Sequence, residues 1–489
     1  MKTRSLIVAW LASLGLAAQT VNLSPLMKEA MNDIAHLRYP AMERKLQLER
    51  QRNPQNRAPD YLEAASLCIK LFINENEASF DRREEHLDRL IDRIAELPEE
   101  EPFKKVFMGE IFLAKATLQG KFENNLRAAW LFYRAYNLLK SNFKEHPDFV
   151  PTYLPWGVLN AGLGSLPDDY RNIASFLGFK GDIREGISLV RRAYYESIAD
   201  ESGLGFYEPY FGFVYVYINY QLEGNENVDL AKLGFDVEKS GFFIFLQTKI
   251  LLDKGKAQEA YRLLLKRPSG SEYLNFNYLN YLTGKVSLSL EPEQAPFYLK
   301  TFMRESANSD NIKSSCRYLA WYYLLKGQRD SAELARRWIF EKGQSKVGAD
   351  KQALAEAQRG FNLDLIKARL DFDAGRYPQI IRYLTVQRLK NCCAKPWEKT
   401  EFYYRRGRAF QEMGLLGQAM ESYRKALSFG RDETTYALGN SALQLAALQE
   451  QQGDFSAAEK FYEMALDIQG YPFYEGIHQK AKTGLTRLP

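Results

Sequence analysis

The chain has 489 residues, 46% of them hydrophobic, and a formal net charge of +5. Such a chain can bury several cores, and so mild a charge gives no ground for a nucleic-acid partner. With 30 Tyr, 30 Phe and 6 Trp, the sequence is too aromatic for a disordered protein.

Lys2 and Arg4 precede an apolar run from Leu6 to Ala18 that ends in Gly15-Leu16-Ala17-Ala18. As a helix this run spans about 20 Å, short of the roughly 30 Å bilayer core. The pattern predicts a secretory signal over residues 1–18, cut near Ala17–Gln19, and export to the periplasm or cell envelope. The first cysteine is Cys68, so a lipoprotein is not expected. No later segment reaches 18 uninterrupted apolar residues, so no transmembrane segment is expected after signal cleavage.

Residues 19–60 read as an N-terminal helical cap, interrupted at Asn53-Pro54-Gln55-Asn56. Residues 61–312 read as degenerate helix pairs. Each pair has a small residue on its first helix, a turn glycine, then small and bulky residues on its second. Ala116, Ala128, Phe132 and Ala135 fit this pattern, with a turn near Gly120. Ala174, Gly181, Gly186, Val190 and Ala193 fit it again, as do Thr248, Gly255, Ala260 and Leu264. Leu282-Thr283-Gly284 to Tyr298 reads as one more pair, with Pro292 in its turn.

Residues 313–489 carry the pattern most clearly. Ala320, Gly327, Ala332 and Arg336 form one unit, and a long loop is expected over 341–352. The next three turns, at Gly375, Gly414 and Gly453, recur every 39 residues. After Gly414 come Ala419, Tyr423 and Ala426, and after Gly453 come Ala458, Tyr462 and Ala465. Small residues let two helices approach, aromatics fill the adjacent hole, and the glycine makes the turn.

These spacings resemble tetratricopeptide repeats (TPRs), whose usual period is about 34 residues. The resemblance implies an all-α, right-handed superhelical solenoid of antiparallel helix pairs, closed by a C-terminal cap. The middle of the chain has a second likeness. Trp156-Gly157-Val158-Leu159, Ser165-Leu166-Pro167 and Phe176-Leu177-Gly178-Phe179-Lys180-Gly181-Asp182, followed by Gly186, resemble the tetratricopeptide repeat protein 39 family. That family's stretch has a doubled Leu before the proline, Ser where Lys180 stands and Arg where Ile183 stands. The likeness implies the same helical architecture and carries over no catalytic residue. Members of that family are intracellular, and some are linked to lipid-droplet or inclusion clearance.

No enzyme chemistry is visible. His36, His86, His146 and His478 lie far apart without a partner at metal-ligand spacing, so neither a metal nor another cofactor is expected. There is no nucleophile elbow, no phosphate-cradling loop and no His-Glu-x-x-His. Cys68, Cys316, Cys392 and Cys393 read as free or buried thiols, because the adjacent pair would be strained if joined.

Binding is therefore the expected function. The first helix of each pair lines the concave face of a TPR array. Aligning the clearest units places Arg317 and Trp321, Leu365, Arg369 and Phe372, Tyr404, Arg408 and Gln411, and Leu443, Ala447 and Glu450 on that face. Of these, Arg317, Trp321, Arg369, Phe372, Tyr404 and Arg408 are the expected partner-binding residues: arginines for an acidic protein or peptide, aromatics for buried area. Residues 376–408 concentrate nine basic side chains against two acidic ones, with Lys390 to Lys399 expected in a solvated loop. The reading is a non-catalytic interaction scaffold of the cell envelope. The alternative is a binder of a lipid or other apolar ligand through the aromatic helix that starts at Phe206-Tyr207 and runs through Tyr217.

Overall fold

The computed structural model describes residues 19–489 except 75, 167–174, 176–177, 200–202, 224–227 and 431–433. The expected signal over 1–18, Pro167, Ala174, Phe176, Leu177 and the Arg431-Asp432 turn thus lie outside the described residues. Among those described there is no strand, only an isolated bridge between Thr20 and Asn56. The chain divides into two compact units. One takes residues up to Ile250 plus Lys266–Phe276, the other Leu251–Leu265 plus Asn277–Pro489.

The first unit contains α1 (Pro25–Ala35), α2 (Tyr39–Arg52), α3 (Ala58–Asn74), α4 (Glu77–Ala95), α5 (Pro102–Lys121), α6 (Asn125–Glu145), α7 (Tyr153–Gly164), α8 (Ile183–Ser197), α9 (Glu208–Ile218) and α10 (Gly241–Asp253, as far as Ile250). Several starts are set by side chains that accept orphan backbone N–H groups. Ser24 accepts from Met27 before α1, Asn76 from Ser79 before α4, and Asp182 from Glu185 before α8. The α5–α6 pair forms, but Gly120 lies inside α5 and Glu123 takes the left-handed turn, at φ 66°. Of the unit expected from Ala174 onward, Gly186, Val190 and Ala193 lie on α8, which pairs with α7. A Cβ on Gly186 would fall on the backbone of Gly157 and Ala161, so only glycine permits this approach.

The second unit contains α11 (Ala257–Leu265), α12 (Tyr278–Leu290), α13 (Ala295–Glu305), α14 (Ile312–Leu325), α15 (Arg329–Glu341), α16 (Gly348–Arg359), α17 (Leu363–Asp373), α18 (Tyr377–Tyr383), α19 (Val386–Cys392), α20 (Pro396–Glu412), α21 (Leu416–Phe429), α22 (Tyr436–Gln451), α23 (Phe455–Asp467) and α24 (Tyr474–Leu485). Helices pair with their sequence neighbours: α12 with α13, α14 with α15, α20 with α21, α22 with α23. This is the expected all-α helical-repeat solenoid of paired helices. Gly375, Gly414 and Gly453 end first helices with φ of 73°, 74° and 80°, the left-handed cap that glycine adopts without strain.

The repeat is also chemical. Tyr423 is fully buried over Gly407 and donates its hydroxyl to Gln411; 39 residues on, Tyr462 donates to Glu450. Three expectations fail locally. The long loop over 341–352 is short, because α16 begins at Gly348. The solvated loop over Lys390–Lys399 is helical through Cys392 and again from Pro396, since Thr385 caps α19 and Pro396 opens α20. Between them the thiols of Cys392 and Cys393 are joined in a disulfide between neighbours, which corrects the free-thiol expectation. Cys68 and Cys316 are free and buried.

Candidate functional site

The second unit carries a polar cleft of about 410 Å³, lined from α12, α14, α16, α17, α20, α22 and α24. Successive first helices stack side by side here, and each contributes one face at helical spacing. On α20 that face is Glu401, Arg405 and Arg408; on α22 it is Asn440, Leu443 and Gln444.

Charge dominates the lining. Lys285, Arg317, Arg359, Arg369, Arg405, Arg408 and Lys480 face one lining carboxylate, Glu401. Four of these cations have acidic partners. Arg317 meets Glu356 at 3.3 Å, Arg369 meets Asp373 at 3.0 Å, Arg405 meets Glu401 at 2.7 Å and Arg408 meets Glu412 at 2.8 Å. Lys285, Arg359 and Lys480 have no carboxylate partner among the described residues, so the cleft keeps a positive surplus. Arg317 and Arg408 also each hold a buried Nε–H without an acceptor.

The titrating groups respond to that surplus. The Asp373 carboxylate beside Arg369 holds the guanidinium well above its usual range. Burial pushes Asp373 up, but Arg369 and Lys285 outweigh it and the carboxyl sits below its ordinary value. Glu401 behaves alike, with Arg405 outweighing burial. Burial would raise the phenol of Tyr318, yet Lys285, Arg317 and Arg369 together hold it below 10.0. A lowered tyrosine in a buried site is a direct mark of concentrated positive charge.

The expected site residues divide. Arg317, Arg369 and Arg408 are brought together in the cleft. Trp321 and Tyr404 are buried behind it, and Phe372 packs beneath the Arg408 guanidinium at 5.1 Å. Sequence reasoning missed Lys285, Arg359, Arg405 and Lys480. The reason on α20 is rotation: one residue is about 100° of helix, so Tyr404 turns into the core while Arg405 turns into the cleft. The signal was present as Glu401, Arg405 and Arg408, spaced i, i+4, i+7. Tyr404 still supports the wall: Asn440 donates to both Tyr404 and Tyr436, and Gln444 donates to Asn440.

The match of a tetratricopeptide-repeat family model to residues 400–429, across α20 and α21, fits this geometry. The chain carries a tetratricopeptide repeat. No curated protein matches the sequence. Among solved structures the chain is similar to the crystal structure of the yeast Tom70, at 15% identity, covering 86% of this chain and 96% of that one, with a TM-score of 0.24. Nothing about the fold or the cleft rests on that likeness. The TPR contributes Glu401, Arg405 and Arg408 to the cleft, so matched repeat and candidate site share one helix. Among the described residues no cluster of His, Cys, Asp or Glu could hold a metal ion, and no helix is long and apolar enough to cross a membrane.

Proposed function

We propose that this TPR-bearing chain is a non-catalytic interaction scaffold that holds an acidic polypeptide segment in the cleft of its second unit. Repeats of this kind generally mediate protein–protein contacts. The observation that carries the reading is the cleft's three cations without carboxylate partners beside four arginines already fixed by theirs. Fixed arginines present their remaining N–H donors at little entropic cost, and loose lysines steer an acidic chain toward them. The apolar start over 1–18 supports placing the scaffold in the cell envelope. The tetratricopeptide repeat protein 39 likeness of 153–193 agrees with a helical scaffold.

The test must spare the paired arginines. Reversing Arg369 would set a carboxylate beside Asp373 and confuse folding with binding. Lys285→Gln with Lys480→Glu changes two charges and breaks no ion pair of the cleft. Fluorescence anisotropy with a short Glu-rich peptide should weaken about tenfold, or about 1.4 kcal/mol. The salt dependence should flatten and the helical melt stay put. Equal peptide affinity in the double variant, or equal binding of a Lys-rich peptide, would overturn the reading.

A further inference from the structure

The first unit holds a second cavity, of about 320 Å³, whose character is the reverse of the cleft's. Its wall comes from α1, α3, α5, α9 and α10, with Ile34, Ile69, Ala114, Phe213 and Phe243 among its apolar surfaces. Phe72, 45% exposed, stands at its rim, so the cavity communicates with solvent. The aromatic helix singled out in the sequence is α9, which supplies Tyr210, Phe213 and Val214.

One charged side chain lines this space among the described residues: Glu110. It lines the cavity and is half-buried. Tyr61 donates to its Oε2 at 2.5 Å and Tyr210 donates to its Oε1 at 3.3 Å. Each carboxylate oxygen accepts more than one hydrogen bond, so both keep capacity on the cavity side. No Lys, Arg or His lines the wall to neutralise it. A carboxylate in apolar surroundings is costly unless paired with a positive group.

We propose that this cavity binds a single-chain amphiphile with a protonated amino head, the tail lying along the apolar wall and the ammonium donating to Glu110. The site is independent of the acidic-peptide reading. Size sets the tail: an engineered cavity of about 150 Å³ holds one benzene, and this one is about twice that, so roughly twelve carbons fit. Charge sets the head. An anionic amphiphile would bring two carboxylates together, which one of them must resist by taking a proton. The chain's net charge of +5 makes the preference diagnostic, because unspecific attraction would favour the anion.

The experiment is calorimetric titration of the full chain at pH 8 with dodecylamine, dodecanol and dodecanoate, each kept below its micelle concentration or solubility limit. The amine should bind at least about tenfold more tightly than the alcohol, with dodecanoate weakest. Glu110→Gln should bring the amine to the level of the alcohol and leave the alcohol unchanged. Ala114→Phe, which fills the cavity, should abolish all three. The proposal fails if dodecanoate matches the amine, if Glu110→Gln keeps the amine preference, if Ala114→Phe binds as before, or if none of the three binds. Should Glu110→Gln not fold by circular dichroism, the head-group ranking on the unaltered chain decides by itself.

Discussion

Glu110 in the first unit and Arg317 in the second are both ionisable groups set into a protein wall, and they are kept there by different means. Arg317, 6% exposed, has Glu356 beside it and lies over the rings of Tyr318 and Trp321; burial works against its charge, but the carboxylate outweighs burial and leaves it firmly charged. Glu110 has no cation beside it among the described residues. Burial pushes its carboxyl up to about 7, and the hydroxyls of Tyr61 and Tyr210 only partly oppose this. One charge is fixed by pairing and the other becomes adjustable, as a proton or a cationic ligand can neutralise it. The cleft is thereby suited to a partner that brings negative charge, the cavity to one that brings positive charge and apolar bulk.

The largest expected effect tests the pairing itself. Glu356→Ala leaves Arg317 buried without a carboxylate and should cost about 3 kcal/mol, read as a lower denaturant midpoint. Glu110→Ala, lacking any ion pair to break, should cost less. If the two costs are equal, the contrast between paired and unpaired charge is wrong.

Next comes pH. Folded Glu110 keeps its proton up to about 7, against a usual value of 4.5. Between those values the folded state binds more protons than the unfolded one, so stability declines as pH rises through that window. Because the cavity gives the carboxylate some access to solvent, the decline should be held to about 1–2 kcal/mol. Glu110→Gln should flatten the part of the profile nearest pH 7. A profile between pH 5 and pH 7 that Glu110→Gln leaves unchanged would show that Glu110 is not held protonated.

Asp350 is an intermediate case within the second unit. Among the described residues it has no ion-pair partner, but its oxygens accept the backbone N–H groups of Asn311 and Ser314 at 2.7 and 2.8 Å, capping α14. Burial nevertheless raises it to about 6, so it adds to the same decline between its usual 3.8 and that value. Asp350→Ala should cost about 1–2 kcal/mol by chemical denaturation, and Asp350→Asn less. Equal losses for the two would mean that charge, not capping, is what α14 needs.

The smallest effect is expected from Tyr210→Phe. Its bond to Glu110 is long, so removing it should cost under about 1 kcal/mol. Because that hydroxyl helps hold the carboxyl down, the midpoint of the pH decline should move upward. A downward shift would contradict the arrangement around Glu110.

Much of the second unit was legible because its signals are local. Gly375, Gly414 and Gly453 announce left-handed turns, and Ala419, Tyr423 and Ala426 are completely buried where the repeat spacing put them. A backbone angle and a helical period are properties of a few consecutive residues, so sequence alone fixes them. Three arginines of the cleft, Arg317, Arg369 and Arg408, were legible for the same reason. The aromatics beside them were not, because a rotation of one position exchanges Tyr404 for Arg405 and only packing sets that rotation.

By itself, then, the sequence determined the helix pairs, their turns and the basic character of the α17–α20 region. The tertiary structure alone decided that Ile34, Cys68, Glu110 and Phe213 share one cavity, that Lys285 and Lys480 join the same cleft, and that no cation among the described residues lines the cavity beside Glu110. Those residues stand many tens of positions apart on different helices. Their meeting depends on how each helix is rotated and seated against its neighbours, a balance of many weak contacts that no short stretch of chain encodes.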